Sequence, residues 1–97
     1  MKIPKSVKIG GYNYKVSFKG MEDLKRGGGE KDDLCGTCDP LTSEISILQE
    51  LTKEQKLSTF IHECIEAYNH VYGMKLTHNQ ICQAESMVFD LFQQLKK

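Results

Sequence analysis

The chain has no surplus of either charge: thirteen basic and thirteen acidic residues cancel. Nothing in that balance argues for nucleic acid, whose phosphates call for a basic excess. No apolar run follows the start, Met1-Lys2-Ile3-Pro4-Lys5, so no signal peptide is expected. No stretch approaches the length of a membrane span. These absences predict a cytoplasmic protein with no membrane and no nucleic-acid partner. Internal repeats and a second domain are missing too. With 97 residues, 39% hydrophobic and 27% charged, the chain fits one soluble domain (1–97) with a modest core.

Without a signal peptide, the four cysteines, Cys35, Cys38, Cys64 and Cys82, read as thiols or metal ligands, not as a disulfide framework. Cys35-Gly36-Thr37-Cys38 is a C-x-x-C, but no second C-x-x-C or H-x-x-x-H completes a zinc site. A redox pair usually precedes a helix, whereas here a turn and a strand are expected, so both read as loop thiols. Cys64 and Cys82 fall in predicted helices and read as packing residues. Neither has a base arranged beside it, so nucleophilic cysteine catalysis is not expected.

What is present divides cleanly. Residues 1–19 read as a β-hairpin. Ile3, Val7 and Ile9 are apolar, Gly10-Gly11 signals a turn, and Tyr12, Tyr14, Val16 and Phe18 alternate with polar residues. Residues 20–40 are polar and glycine-rich, with Gly27-Gly28-Gly29 followed by Glu30-Lys31-Asp32-Asp33. They read as a flexible loop with room for a turn of helix at Glu22-Asp23-Leu24. Those glycines match no nucleotide fingerprint. Asp39-Pro40 marks a turn, and residues 44–48 form a third strand. Thr52 with Gln55 fits a capping box that opens a helix over 52–72, ended by Gly73. Thr77 with Gln80 repeats the signature for a helix over 77–96, whose Lys96-Lys97 end suits its dipole. The short link makes the two helices an antiparallel hairpin. The predicted class is α+β: a small antiparallel three-stranded sheet packed on a C-terminal antiparallel helix hairpin.

The chemistry concentrates in the first helix. His62-Glu63-Cys64-Ile65-Glu66 differs by one residue from the His-Glu-x-x-His of zinc peptidases. Four-residue spacing puts His62 and Glu66 on one helix face, able to meet one ion, with Glu63 beside them as a water-activating base. The bland alternative is a solvated polar face opposite the apolar stripe of Leu57, Phe60, Ile61, Cys64, Tyr68 and Val71. On the second helix Glu85 interrupts the apolar stripe of Ile81, Ala84, Val88, Leu91, Phe92 and Leu95, a costly place for an unpaired carboxylate. The antiparallel register sets Glu85 opposite Cys64, between His62 and Glu66, where a third ligand belongs. Its bland alternative is pairing with a lysine or a tyrosine hydroxyl. His78, two turns earlier, is the competing third ligand, and a His-Glu-His set suits zinc better than one His with two carboxylates. His70 is a candidate for steadying an oxyanion or for a supporting contact.

Three stretches, Ile3 to Tyr12, Ser58 to Ala67 and Leu76 to Cys82 with Glu85, resemble small phage and prophage proteins of the minimal gluzincin type. They also resemble, more distantly, the metallopeptidase domain of the ImmA/IrrE group. The resemblance implies a zincin-like fold: a small sheet, an active-site helix, then a helix with the third ligand. The nineteen-residue gap from Glu66 to Glu85 agrees. It implies zinc-dependent hydrolysis of a protein or peptide, in the host cytoplasm if the protein is phage-encoded. Glu66, where peptidases carry His, departs from the pattern. That change lowers the charge of the site, weakens a bound ion as a Lewis acid and opens the site to manganese or iron. The strand at 44–48 is expected to hold substrate along its edge. The alternative is a catalytically inactive module that docks on a host or regulatory protein.

Overall fold

The computed structural model describes residues 2–26 and 35–95. Alternation in the first segment yields β1 (Ser6–Ile9) and β2 (Tyr12–Lys19), an antiparallel hairpin around Gly10-Gly11. Both glycines have positive φ, as such a turn demands. Gly10 has a second reason to lack a side chain, because a Cβ there would collide with Val71. Ile9, Tyr14 and Val16 are buried, while Tyr12 and Phe18, at the strand ends, remain exposed.

Two elements lie within the predicted loop. A helix, α1 (Met21–Arg26), forms where a turn of helix was allowed for. A strand, β3 (Gly36–Asp39), follows and includes Cys38, so Cys38 is no loop thiol. Gly27-Gly28-Gly29 and Glu30 to Asp33 lie outside the described residues. β3 pairs antiparallel with β4 (Glu44–Leu48) across a turn in which Asp39 Oδ1 accepts the Leu41 N–H at 3.0 Å. β4 then pairs parallel with β2, Lys15 opposite Glu44 through Lys19 opposite Leu48.

The sheet is therefore four-stranded and mixed, in the order β1-β2-β4-β3, and not three-stranded and antiparallel as predicted. The physical reason is the long connection after β2. A parallel neighbour needs a crossover of about a dozen residues or more, and residues 20–43 provide it. β4 becomes a central strand, with Ile45, Ser46, Ile47 and Leu48 all buried. Both of its edges are occupied, which overturns the expectation that residues 44–48 hold a substrate strand.

Helix α2 (Lys53–Tyr72) lies on the sheet and α3 (His78–Leu95) packs on α2. Both expected capping boxes form. The Thr52 N–H donates to Gln55 Oε1 at 3.0 Å and the Gln55 N–H returns to Thr52 Oγ1 at 3.2 Å. Thr77 and Gln80 repeat this at 2.9 and 3.2 Å. Gly73 ends α2 in the left-handed conformation, its N–H bonded to the Asn69 and His70 carbonyls. The Asn69 side chain accepts the Leu76 N–H at 2.9 Å, which ties down the link between the helices. The core joins Ile9, Tyr14, Val16, Ile45 and Ile47 of the sheet to Ala67 of α2, with Phe60, Cys64 and Val71 packed around it. Lys96-Lys97 lies outside the described residues. Among the described residues, no helix is long and apolar enough to cross a membrane.

Candidate metal centre

The side of α2 that faces neither sheet nor core carries His62 and Glu66, one turn apart. Antiparallel packing brings Glu85 of α3 to the same place. His62 Nδ1 lies 2.9 Å from Glu85 Oε1, and His62 Nε2 lies 3.4 Å from Glu66 Oε2. One imidazole therefore stands between two carboxylates, one at each ring nitrogen. The second oxygen of Glu85 accepts a short hydrogen bond from the Ser58 hydroxyl, one turn before His62. The half-buried Glu85 thus has a partner at each oxygen, and those partners are neither lysine nor tyrosine.

His78 is also within reach. Its ring stands edge-on to His62 with centroids 5.6 Å apart. Sequence spacing alone put His78 and Glu85 too far apart to share a site, but both extend toward His62, which lies between them. Two groups result. His62, Glu66 and His78 each present a ligand atom within 4.8 Å of the others, and so do His62, Cys82 and Glu85. Glu66 and Glu85 share no group, because they face opposite nitrogens of one ring. Of the expected ligands, the structure gathers His62 with Glu66 and the alternative third ligand His78. Glu85 meets His62 from the other side. His70 is exposed on the last turn of α2 and belongs to neither group.

Cys82 and Ser58 were not picked out from the sequence. Cys82 lies four residues after His78 and three before Glu85, a spacing that puts all three on one helix face. Its Sγ is 3.5 Å from His78 Nε2. That periodicity was the available signal, and reading Cys82 as a packing residue hid it. Ser58, four residues before His62, has the same helical logic.

Glu63 points the other way, between α2 and β3. It is only 8% exposed, and its Cγ lies 3.4 Å from where a Gly36 Cβ would stand. A Gly36 side chain would also crowd Thr59 and the Ser46 carbonyl, so glycine lets the edge strand approach the helix. Burial raises the Glu63 carboxyl to about 7, with Glu66 and Glu85 adding to the rise and His62 opposing it. A carboxyl in that range gives and takes protons near neutral pH. The thiols nearby are inert by the same physics. Burial first, then the neighbouring carboxylates, push Cys38 and Cys64 up to about 12.

A cleft of about 510 Å³ opens elsewhere, between Ile3, Phe18, Leu57 and Gln93, and no candidate ligand lines it. Among the described residues the free edge nearest the cluster is that of β3. Compared with known protein families, curated proteins and solved structures, the chain matches none of them.

Proposed function

We propose that the protein binds a divalent ion through His62, Glu66 and His78 and uses it to hydrolyse a peptide bond, in the manner of the minimal gluzincins it resembles. The observation that carries this reading is the environment of His62. His62 Nδ1 stands at hydrogen-bond distance from Glu85, and a proton held there would leave the Nε2 lone pair for an ion on the side of Glu66 and His78. A carboxylate on the far nitrogen of a ligating histidine fixes its tautomer and raises its basicity. Glu85, anchored by Ser58, fits that orienting role.

The bound ion, zinc first and manganese or iron as alternatives, would polarise a carbonyl and acidify a water. Glu63, whose raised carboxyl lies on the β3 side of α2, would act as the base once its side chain turns toward the ion, taking the water's proton and passing it to the leaving amine. An extended substrate adds to the free edge of β3, whose Gly36 adjoins Glu63. A second carboxylate in place of histidine makes the ion a weaker Lewis acid, so slow turnover is expected.

Metal analysis of the purified protein tests the reading. One zinc per chain, lost in His62→Ala, is the expected result, and no binding of zinc, manganese or iron would sink it. Glu63→Gln is expected to keep the ion and lose peptide cleavage. One observation favours the docking module as a second reading. Tyr68 and Tyr72 stack at 6.1 Å on the exposed end of α2, beside exposed Met74, an apolar surface suited to a protein partner. Metal bound without any cleavage of denatured or native protein substrates would favour it.

A further inference from the structure

We propose that Cys82 is a metal ligand, and that its thiolate forms with His62 and Glu85 an alternative shell for the same ion, one that holds the site latent. This rests on the metal-binding reading above and concerns how that site is regulated.

The two donor groups share His62 and nothing else. A neutral imidazole has one free lone pair to give an ion, and the two carboxylates face different nitrogens, Glu85 at Nδ1 and Glu66 at Nε2. The two shells are therefore alternatives for a single ion, each leaving the other carboxylate to orient the ring. His78 bridges them: it belongs to the first group, and its Nε2 is a hydrogen-bond partner of the Cys82 sulfur at 3.5 Å.

The shells differ in chemistry. Imidazole with Glu66 and His78 offers nitrogen and oxygen, which manganese and iron accept. Imidazole with Cys82 and Glu85 offers a soft thiolate, which selects zinc over manganese. They differ in place as well. Glu63 lies on the β3 side of α2; the first shell takes two donors from α2 and His78 from α3, whereas the second takes His62 from α2 and both Cys82 and Glu85 from α3. An ion drawn toward Cys82 and Glu85 moves off the Glu66 side of the ring, and two anionic donors in place of one make it a weaker Lewis acid. Zinc therefore rests in the thiolate shell, and loss or capping of the thiol returns it to the Glu66 shell.

Cobalt(II) added to the reduced, full-length protein provides the test. A sulfur-to-cobalt charge-transfer band in the near ultraviolet is expected, absent in Cys82→Ser and retained in Cys38→Ser and Cys64→Ser. Cys82→Ser should also weaken zinc binding at least about tenfold while leaving manganese binding unchanged. A measurement on the wild type needs no variant to fold: zinc should slow alkylation of Cys82 by iodoacetamide, mapped by mass spectrometry, and manganese should not. Cobalt bound without the band, a band that survives Cys82→Ser, or no protection by zinc would each overturn the proposal and leave the metal site standing. Failure of the wild type and Cys82→Ser alike to bind cobalt or zinc would remove both readings.

Discussion

The two long helices begin alike and are held differently. Each opens with a Thr-x-x-Gln capping box of nearly the same geometry, and they run for 20 and 18 residues. Yet α2 buries Leu57, Ile61, Glu63 and Ala67, whereas α3 buries Ile81 alone. α2 lies between the sheet and α3, while Met87, Leu91 and Leu95 of α3 remain exposed. The candidate site is divided along this line. His62, Glu63 and Glu66 stand on an element fixed from two sides, and His78, Cys82 and Glu85 on one supported from one side. The framework half of the site is built in, and the closing half depends on how firmly α3 docks.

The largest effect should come from the support of α2. Ile61→Ala is expected to cost about 2–5 kcal/mol of global stability in denaturant titrations, the usual range for truncating a buried isoleucine. Ile81→Ala should instead release α3 first, with faster amide hydrogen exchange along residues 78–95 before the sheet is affected. Equal exchange in both helices would show that α3 is as firmly held as α2.

Glu63 comes next. Its carboxyl is raised from 4.5 to about 7, chiefly by burial. The folded state then binds its proton more tightly than the unfolded chain does. The associated stability is fully present below pH 4.5 and is lost as pH rises through about 7. Glu63→Gln removes that loss. In metal-free protein its stability relative to wild type should grow between pH 4.5 and pH 8 by on the order of 3 kcal/mol. A difference independent of pH would show that Glu63 is not held in its neutral form.

Ion binding should tighten the less supported helix. A ligand that binds only the folded state at a hundred times its dissociation constant stabilises by about 2.7 kcal/mol. Because two of the three donors of the zinc shell, Cys82 and Glu85, stand on α3, saturating zinc should slow exchange more in residues 78–95 than in residues 53–72. Equal protection, or none on α3, would mean that its side chains do not take part.

These contrasts also separate what could be read in the sequence from what could not. Both helices, their caps, the first hairpin and the strand at 44–48 carry local signals: period, turn glycines and Thr-x-x-Gln. The approach of Glu85 to His62 followed from the antiparallel register of the helix pair. β3 was not legible, because Gly36-Thr37-Cys38-Asp39 has no apolar alternation and becomes a strand only by pairing with β4. The parallel pairing of β2 with β4 is a long-range choice with no local mark. Without it, residues 44–48 read as an edge and not as the centre. At the site, spacing along one helix cannot tell that two donors a long way apart both reach a third side chain between them, as His78 and Glu85 do.

The caps give the smallest and cleanest comparison. Thr52→Ala and Thr77→Ala delete the same hydroxyl, which accepts the same N3 amide at the same 3.2 Å. Each should weaken its own helix start by about 1 kcal/mol. What differs is how that loss propagates. Four residues separate α2 from the central strand, and α2 buries Leu57 just past its first turn, followed by Ile61, Glu63 and Ala67, so Thr52→Ala should lower the midpoint of global unfolding. The first turn of α3 holds His78, with one buried residue, Ile81, just beyond it. Thr77→Ala should therefore leave the global midpoint nearly unchanged and fray the start of α3. The fraying would show as faster exchange at residues 78–82 and as weaker metal binding through His78. If the two substitutions lowered the midpoint equally, α3 would belong to the same cooperative unit as α2, and the half of the site that it carries would be as rigid as the half on α2.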